Sequence, residues 1–201
     1  MTTREKLKQY FKANKKPTQQ EFEEWLDSYW HQAEDLIPQD SVNLIEKVIP
    51  YISGDVMYGY GLSITIPSNI RKINDQAFVY QQNSRYILEI KFSEGLEEIG
   101  TYAFFGQMAG KIKTPSTLKR IEEGAFSYLF FEEIILNEGL EYIGKDAFRT
   151  VINSISTLYI PNSVTFVGEN AFLLSHLQSV SAPAGLDLSN SGIPASIITY
   201  R

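Results

Sequence analysis

The sequence contains no cysteine among its 201 residues. This absence excludes thiol nucleophiles, cysteine-based zinc sites and a disulfide scaffold, and it leaves the redox compartment open. Histidine is scarce as well: only His31 and His176 titrate near neutral pH without a large pKa shift. Basic residues are also in deficit, since 18 Lys and Arg face 24 Asp and Glu. The resulting net charge of −6 disfavours binding to nucleic acid, which is itself a polyanion.

Long hydrophobic runs are missing too. No stretch reaches the roughly 18 apolar residues of a membrane-spanning helix, and the opening MTTREKLKQYFKANKK lacks the apolar core of a signal peptide. We therefore expect no signal peptide and no membrane insertion, with synthesis and retention in a cytoplasm. What the sequence does contain is typical of a folded protein, with 43% hydrophobic, 21% charged and 13% aromatic residues.

The first fifty residues predict a helical segment. A first helix carries Leu7, Tyr10 and Phe11 at i, i+3 and i+4, and this helix ends before Pro17. A second helix begins at Thr18, with Glu21 as its capping partner three residues later, and ends at Ile37-Pro38. Its apolar stripe consists of Phe22, Trp25, Leu26, Tyr29 and Trp30. A third short helix is predicted from Ser41 to Pro50, with one apolar face formed by Leu44, Ile45, Val48 and Ile49.

The apolar stripe of the second helix requires a partner. A segment of fifty residues buries only a small fraction of its surface by itself, so the stripe packs on the rest of the chain, on a second copy or on another protein. Residues 1–16 carry six Lys and Arg, whereas residues 17–46 carry eight acids and no Lys or Arg. This division of charge favours helices that attract each other. We expect residues 1–50 to hold a dimer or trimer.

The rest of the chain is an internal repeat. The dipeptide Ala-Phe recurs at 77–78, 103–104, 125–126, 147–148 and 171–172, at intervals of 26, 22, 22 and 24 residues. In the sixteen residues that end in each Ala-Phe, the second, eighth and eleventh positions are always aliphatic. Pro67, Pro115 and Pro161 occupy the fifth position, and a degenerate sixth copy begins at Ser179. These matched columns are the strongest signal in the sequence.

The repeat predicts a solenoid whose coils each carry one short strand. Side chains at the second and fourth positions point inward, and proline at the fifth ends the strand because it cannot donate to a ladder. Positions eight, eleven and sixteen return to the same core. The intervals are close to the period of about 20–29 residues of leucine-rich repeats, although the usual asparagine is missing.

This pattern resembles the BspA-like, or treponemal, class of leucine-rich repeat, with the signature I-x-x-x-A-F followed by a strand and I-P-x-x-V-x-x-I-G. The resemblance covers about residues 63–182. It implies a leucine-rich-repeat β-solenoid of about five to six coils (51–201). Together with the short N-terminal helical segment (1–50) predicted from periodicity, this gives an α+β fold class. Bacterial proteins with such repeats are usually exported surface adhesins.

Outward positions one and three of the strands form the candidate binding face. They include Ser63 and Thr65 in the first coil, Thr157 in the fifth and Ser179 and Ser181 in the sixth. The residues proposed for binding are Glu89, Lys91, Lys111, Lys113, Glu133 and Tyr159. Solenoids bind ligands on extended faces of this kind, but a mixed-charge face is also typical of a merely soluble surface.

No catalytic constellation is recognisable, so we expect neither an enzyme nor a bound cofactor or metal. His176 is predicted to lie in a surface loop, and His31 to serve as a packing or hydrogen-bonding group. The sequence Gly-Tyr-Gly at 59–61 lacks the lysine and context of a phosphate loop, which predicts a plain connecting loop. The acid pairs Glu97-Glu98 and Glu122-Glu123 are predicted to be solvated surface.

Residues 15–41 resemble a short segment at the start of structural proteins of Bacteroidetes phages, including crAss-like phages. The residues that match its pattern are Lys16, Pro17, Thr18, Phe22, Asp27, Ser28, Trp30, His31, Asp35, Ile37 and Pro38. The resemblance implies a virion protein, assembled in the bacterial cytoplasm, that needs no export signal.

Combining the two resemblances predicts a head or tail fibre. It would anchor to capsid or tail proteins through residues 1–50 and display the repeats for binding a host-surface glycan or protein. The alternative is a bacterial leucine-rich-repeat adhesin or protein-interaction module.

Overall fold

A computed structural model describes residues 45–53, 56–82 and 84–201, with side chains from residue 61 onward. The first two predicted helices lie outside these residues. Within the described part of the chain there is no α-helix, and the only helical element is a 3₁₀ turn at Ala195–Ile197. Every other element is a β-strand.

The described chain begins with an antiparallel hairpin of β1 (Ile45–Ser53) and β2 (Val56–Ile66), in which Ile45 lies opposite Thr65. The predicted third helix is therefore wrong, because its residues from Ile45 onward form β1. Isoleucine and valine favour strands when a partner strand is available, and tertiary pairing overrides a short helical pattern. Pro50 is tolerated within β1 because this strand lies at the edge of its sheet.

The predicted loop at 59–61 is also wrong, since these residues lie within β2. A glycine is needed within this strand at position 61, because a Cβ atom there would come within 2.7 Å of the carbonyl oxygen of Tyr86. The next residue, Leu62, donates its backbone N–H to that same oxygen at 2.8 Å. Glycine at 61 thus permits a close approach between β2 and the chain that precedes the next coil.

Six coils follow one another from β2 onward. Each coil has one longer strand, which is β2 in the first coil. In the second to sixth coils it is β4 (Ile87–Phe92), β6 (Lys111–Lys113), β8 (Glu133–Ile135), β10 (Thr157–Tyr159) and β12 (Ser179–Ala182). We call the outward surface of these strands the strand face. A final strand, β13 (Ile198–Tyr200), pairs in parallel with β12 and was not predicted. Hydrogen-bonded pairing on this side is interrupted, giving the groups β1-β2-β4, β6-β8 and β10-β12-β13.

The opposite side of the solenoid carries a continuous parallel sheet of two-residue strands, which we call the turn-side sheet. Its order is β11-β9-β7-β5-β3. The strands are β3 (Lys72–Ile73), β5 (Glu98–Ile99), β7 (Arg120–Ile121), β9 (Tyr142–Ile143) and β11 (Phe166–Val167). The sequence predicted only turns here, because two-residue strands leave no alternation to detect.

The core confirms the repeat columns. The second-position side chains of all five blocks are buried, as are the alanine and phenylalanine of the last four Ala-Phe pairs. The rings of Phe104, Phe126 and Phe148 form a continuous stack with centroid distances of 5.4 and 5.3 Å. The columns are less buried at their ends: Phe78, in the first coil, and Val167, in the last of the two-residue strands, are only half-buried.

Glutamates in alternate coils join one coil to the next. Glu94 accepts hydrogen bonds from the backbone N–H of Ser116 at 3.1 Å and from its hydroxyl at 2.9 Å. Glu138 repeats the arrangement two coils later, with Asn162 as its backbone donor at 3.1 Å. These hydrogen bonds stabilise the charged carboxylate and lower the pKa of Glu94 and of Glu138.

Candidate binding face

The centre of the strand face confirms the predicted outward positions. Lys111 and Glu133 lie opposite each other on β6 and β8, and Lys113 lies opposite Ile135. All four side chains are exposed. Ser63 is an exception to the prediction, because it is buried and its hydroxyl donates to Glu89 of the next coil.

The two ends of the predicted face are engaged in contacts within the protein. Lys91 forms an ion pair with Glu89 at 3.3 Å. Tyr159 donates its hydroxyl to Glu138 at 3.0 Å, and the guanidinium of Arg201 lies 4.0 Å above its ring. The aromatic residue predicted for binding is thus partly covered by the chain itself, although its side chain remains 46% exposed.

A groove of about 1000 Å³ lies over the centre of this face, and we call it the strand-face groove. It runs from β4 across β6 to β8, where pairing between β4 and β6 is interrupted. Lys111, Lys113 and Glu133 line it together with Glu132. None of these four charged side chains forms an ion pair within the described residues.

Sequence reasoning missed the apolar wall of the groove. Tyr128, Phe130 and Ile152 line it and are 54%, 38% and 62% exposed. They lie in the variable stretches between each Ala-Phe and the next strand, outside the aligned blocks. A run of large apolar residues in a stretch that does not belong to the core columns could have identified them, because the columns already account for the buried positions.

The turn-side sheet differs from the strand face in its electrostatics. Its charges are paired from coil to coil: Lys72 with Glu98 at 2.7 Å, Lys119 with Glu141 at 3.3 Å and Lys145 with Glu169 at 2.9 Å. The hydrogen bond to its glutamate raises the pKa of Lys72 and of Lys145. Of the acids predicted to be solvated surface, Glu97 and Glu98 pair with Arg71 and Lys72 of the preceding coil. Glu122 pairs with Arg120 of its own coil, and Glu123 accepts a hydrogen bond from the hydroxyl of Tyr102.

His176 lies in a turn at the surface of the solenoid. Its side chain is exposed, as predicted, and its Nδ1 atom lies 2.9 Å from the hydroxyl of Ser175. Within residues 45–201, as far as they are described, no group of three His, Asp or Glu side chains is placed to hold a metal ion. No helix in that same part of the chain is long and apolar enough to cross a membrane.

The predicted anchor residues lie outside the described residues, and their role stays a prediction. They comprise the motif and the apolar stripe of the N-terminal segment: Lys16, Pro17, Thr18, Phe22, Trp25, Leu26, Tyr29, Trp30, His31, Ile37 and Pro38.

The described chain consists of stacked coils, each with a strand on one side, around an internal column of aromatic rings. This architecture is that of a leucine-rich-repeat solenoid. Comparison with protein families agrees, since six copies of the BspA type leucine rich repeat region match residues 58–187. The chain belongs to this family, which confirms the resemblance drawn from the repeat. The family suggests a protein-interaction or adhesin-like module. No curated protein matches the chain.

Proposed function

We propose that the repeat domain is a binding module that recognises a glycan or protein on a cell surface through the strand-face groove. The observation that carries this proposal is the contrast between the two sides of the solenoid. On the turn-side sheet, lysines and glutamates neutralise each other across coils. In the groove, Lys111, Lys113, Glu132 and Glu133 form no ion pair within the described residues, and they stand beside exposed apolar side chains.

The composition of the groove suits recognition. Binding sites combine an apolar surface, which supplies affinity, with a few polar groups that fix the orientation of the ligand. The groove provides both, with Tyr128, Phe130 and Ile152 on its wall and with five charged side chains, of which only Glu89 is ion-paired within the described residues. Lys111 and Glu133 have opposite charges on adjacent strands, so the ligand they fit carries complementary groups of both signs.

The test is a binding screen of the full chain against arrays of purified surface glycans and cell-surface proteins. Ligands found in the screen are then measured with Lys111→Glu/Lys113→Glu. The matched control is Lys119→Glu/Lys145→Glu, which makes the same change in net charge on the turn-side sheet. We expect the first variant to bind at least about tenfold more weakly and the control to bind normally.

Thermal melting checks that both variants remain folded. Surface ion pairs contribute little stability, so loss of the two pairs in the control should leave the melting curve nearly unchanged. Equal binding by both variants would place recognition outside the groove.

We further propose that the protein is a phage head or tail fibre that anchors through residues 1–50 and presents the solenoid to the host. This finer role is supported by the resemblance of residues 15–41 to phage structural proteins. Mass spectrometry of purified particles should find the chain as a stoichiometric component. Particles that carry Lys111→Glu/Lys113→Glu should adsorb poorly. Absence of the chain from particles would leave the bacterial adhesin or interaction module.

A further inference from the structure

The tenth position of each repeat forms a ladder along the turn-side sheet. Its members are Lys72, Glu98, Arg120, Tyr142 and Phe166, one on each two-residue strand. Lys72 pairs with Glu98, and the guanidinium of Arg120 lies 3.9 Å above the ring of Tyr142. The rings of Tyr142 and Phe166 stack with centroids 4.9 Å apart and planes 6° apart. Three of the four neighbouring pairs in the ladder are thus in side-chain contact.

The ladder stops at Phe166. The sixth coil has no two-residue strand, and Leu188, where the next rung would fall, is buried at 2% exposure. Phe166 is 48% exposed, and beyond it lies a depression of about 430 Å³. Its lining is completed by Val167, Gly168, Glu169, Asp187, Ser189 and Asn190.

The edge of β11 adds hydrogen-bond acceptors beside this depression. One coil earlier, the carbonyl oxygen of Glu141 accepts the N–H groups of Thr165 at 2.9 Å and Phe166 at 3.3 Å, and that of Ile143 accepts Gly168 at 2.8 Å. The equivalent carbonyl oxygens in the fifth coil belong to Thr165 and Val167. No N–H group of the described residues donates to either of them.

The charged groups of the depression are acids. A hydrogen bond from Lys145 lowers the pKa of Glu169, and the backbone N–H of Ser189 lowers the pKa of Asp187. Both carboxylates are therefore charged at neutral pH. No lysine or arginine lines the depression, but Glu169 is paired with Lys145 at 2.9 Å, so Asp187 is the lining carboxylate that forms no ion pair within the described residues. The depression thus combines an exposed aromatic ring, two carboxylates and, at Val167, an edge-strand residue whose carbonyl oxygen accepts no N–H group of the described residues.

We propose that this depression binds a guanidinium group, carried by an arginine side chain of a partner protein. A guanidinium is planar, permanently charged and carries five N–H donors with no acceptor, so it can stack on Phe166 while it donates to the surrounding oxygens. Such a ligand would extend the ladder by one rung. The site lies on the turn-side sheet and is independent of the strand-face groove.

The protein already uses the same chemistry twice. Arg120 covers the ring of Tyr142 in the same ladder. On the other side of the solenoid, Arg201 lies over the ring of Tyr159, donates to the hydroxyl of Ser181 at 2.8 Å and also donates to the backbone carbonyl of Ile160. An exposed aromatic ring next to backbone carbonyls is thus covered by a guanidinium where the chain supplies one.

The test is an NMR titration of the isotope-labelled full chain with N-acetyl-arginine amide. We expect saturable shifts of the Phe166 ring and the Asn190 side-chain amide, with a dissociation constant of about 1 mM or weaker for so small a probe. N-acetyl-lysine amide should bind more weakly, because it presents fewer donors and no plane. Free arginine should also bind more weakly, because its carboxylate is repelled by Asp187. Methyl glucoside should cause no shift.

Two variants locate the effect. Asp187→Asn and Phe166→Leu should each weaken binding at least about threefold, while Phe130→Leu, which removes an exposed ring from the strand-face groove, should leave it unchanged. Backbone spectra of the variants show whether they remain folded. Absence of a saturable shift, equal binding of the lysine probe, tighter binding of free arginine, or shifts with the sugar would each overturn the proposal.

Discussion

Truncation of Phe126 to alanine tests the architecture at its centre. The ring is fully buried, lies between Phe104 and Phe148 at 5.4 and 5.3 Å, and meets the edge of Phe92 at 6.1 Å. Removing a buried phenylalanine costs about 3–5 kcal/mol. Because stacked rings contribute about 0.5–1.5 kcal/mol per pair beyond burial, and two stacks are lost, we expect a value near the upper end of that range.

The assay is urea unfolding followed by circular dichroism. Phe78→Ala is the matched control, because this ring belongs to the same column but is half-buried, and among the described rings it stacks only on Phe104, at 5.1 Å. It should cost less than half as much. Since each coil is supported only by its neighbours, loss of the central ring should also broaden or split the transition. A cost below about 1 kcal/mol for Phe126→Ala would refute the continuous column.

Three other outcomes are expected. Gly124→Ala should cost about 1–2 kcal/mol in urea melts, because φ is +59° there and the new Cβ would overlap the ring of Tyr102; the cost should fall when Tyr102 is also truncated. Because folding lowers the pKa of Glu94, its carboxylate stabilises the folded state at neutral pH, and this stabilisation is lost as the pH falls below the ordinary pKa of about 4.5. Glu94→Gln should therefore lower the urea midpoint at pH 7 and weaken the dependence of stability on acid pH. An unchanged pH profile would contradict the role of Ser116 as the donor to Glu94. Light scattering should find a dimer or trimer for the full chain and a monomer for residues 45–201, which keep the hairpin intact; an oligomer that survives the deletion would place the contact on the repeats.

Repetition explains which parts of the fold could be predicted. Phe104, Phe126 and Phe148 occupy the same position in successive repeats, so each of them independently indicates that this position is buried. The hairpin at 45–66 occurs only once, so its prediction depended on local sequence alone. The local pattern favoured a helix up to Pro50, whereas pairing with β2 makes these residues a strand. The burial of Ser63 has the same origin, since its outward position is covered by a contact with Glu89 that only the assembled first coils provide.

The candidate site was predicted in part for a related reason. Lys111, Lys113 and Glu133 lie at strand positions whose direction follows from the alternation of side chains. Tyr128, Phe130 and Ile152 lie in stretches that differ in length and composition from coil to coil, so no column predicts where they point. The sequence of a single repeat does not show which charges are paired, because the ion pairs of the turn-side sheet form between neighbouring coils.

The two sites at which we propose binding both lie where the structure departs from the repeat. An interior position receives the same partners from the coil before and the coil after, which satisfies its polar groups and covers its apolar surface. The strand-face groove lies where pairing between β4 and β6 is interrupted, and the depression beyond Phe166 lies where the sixth coil omits its two-residue strand. In both places, groups that the repeat would otherwise engage face solvent. An arginine side chain that reaches Phe166 from an exposed position of the sixth coil, and not from buried Leu188, should therefore abolish binding of N-acetyl-arginine amide in the NMR titration.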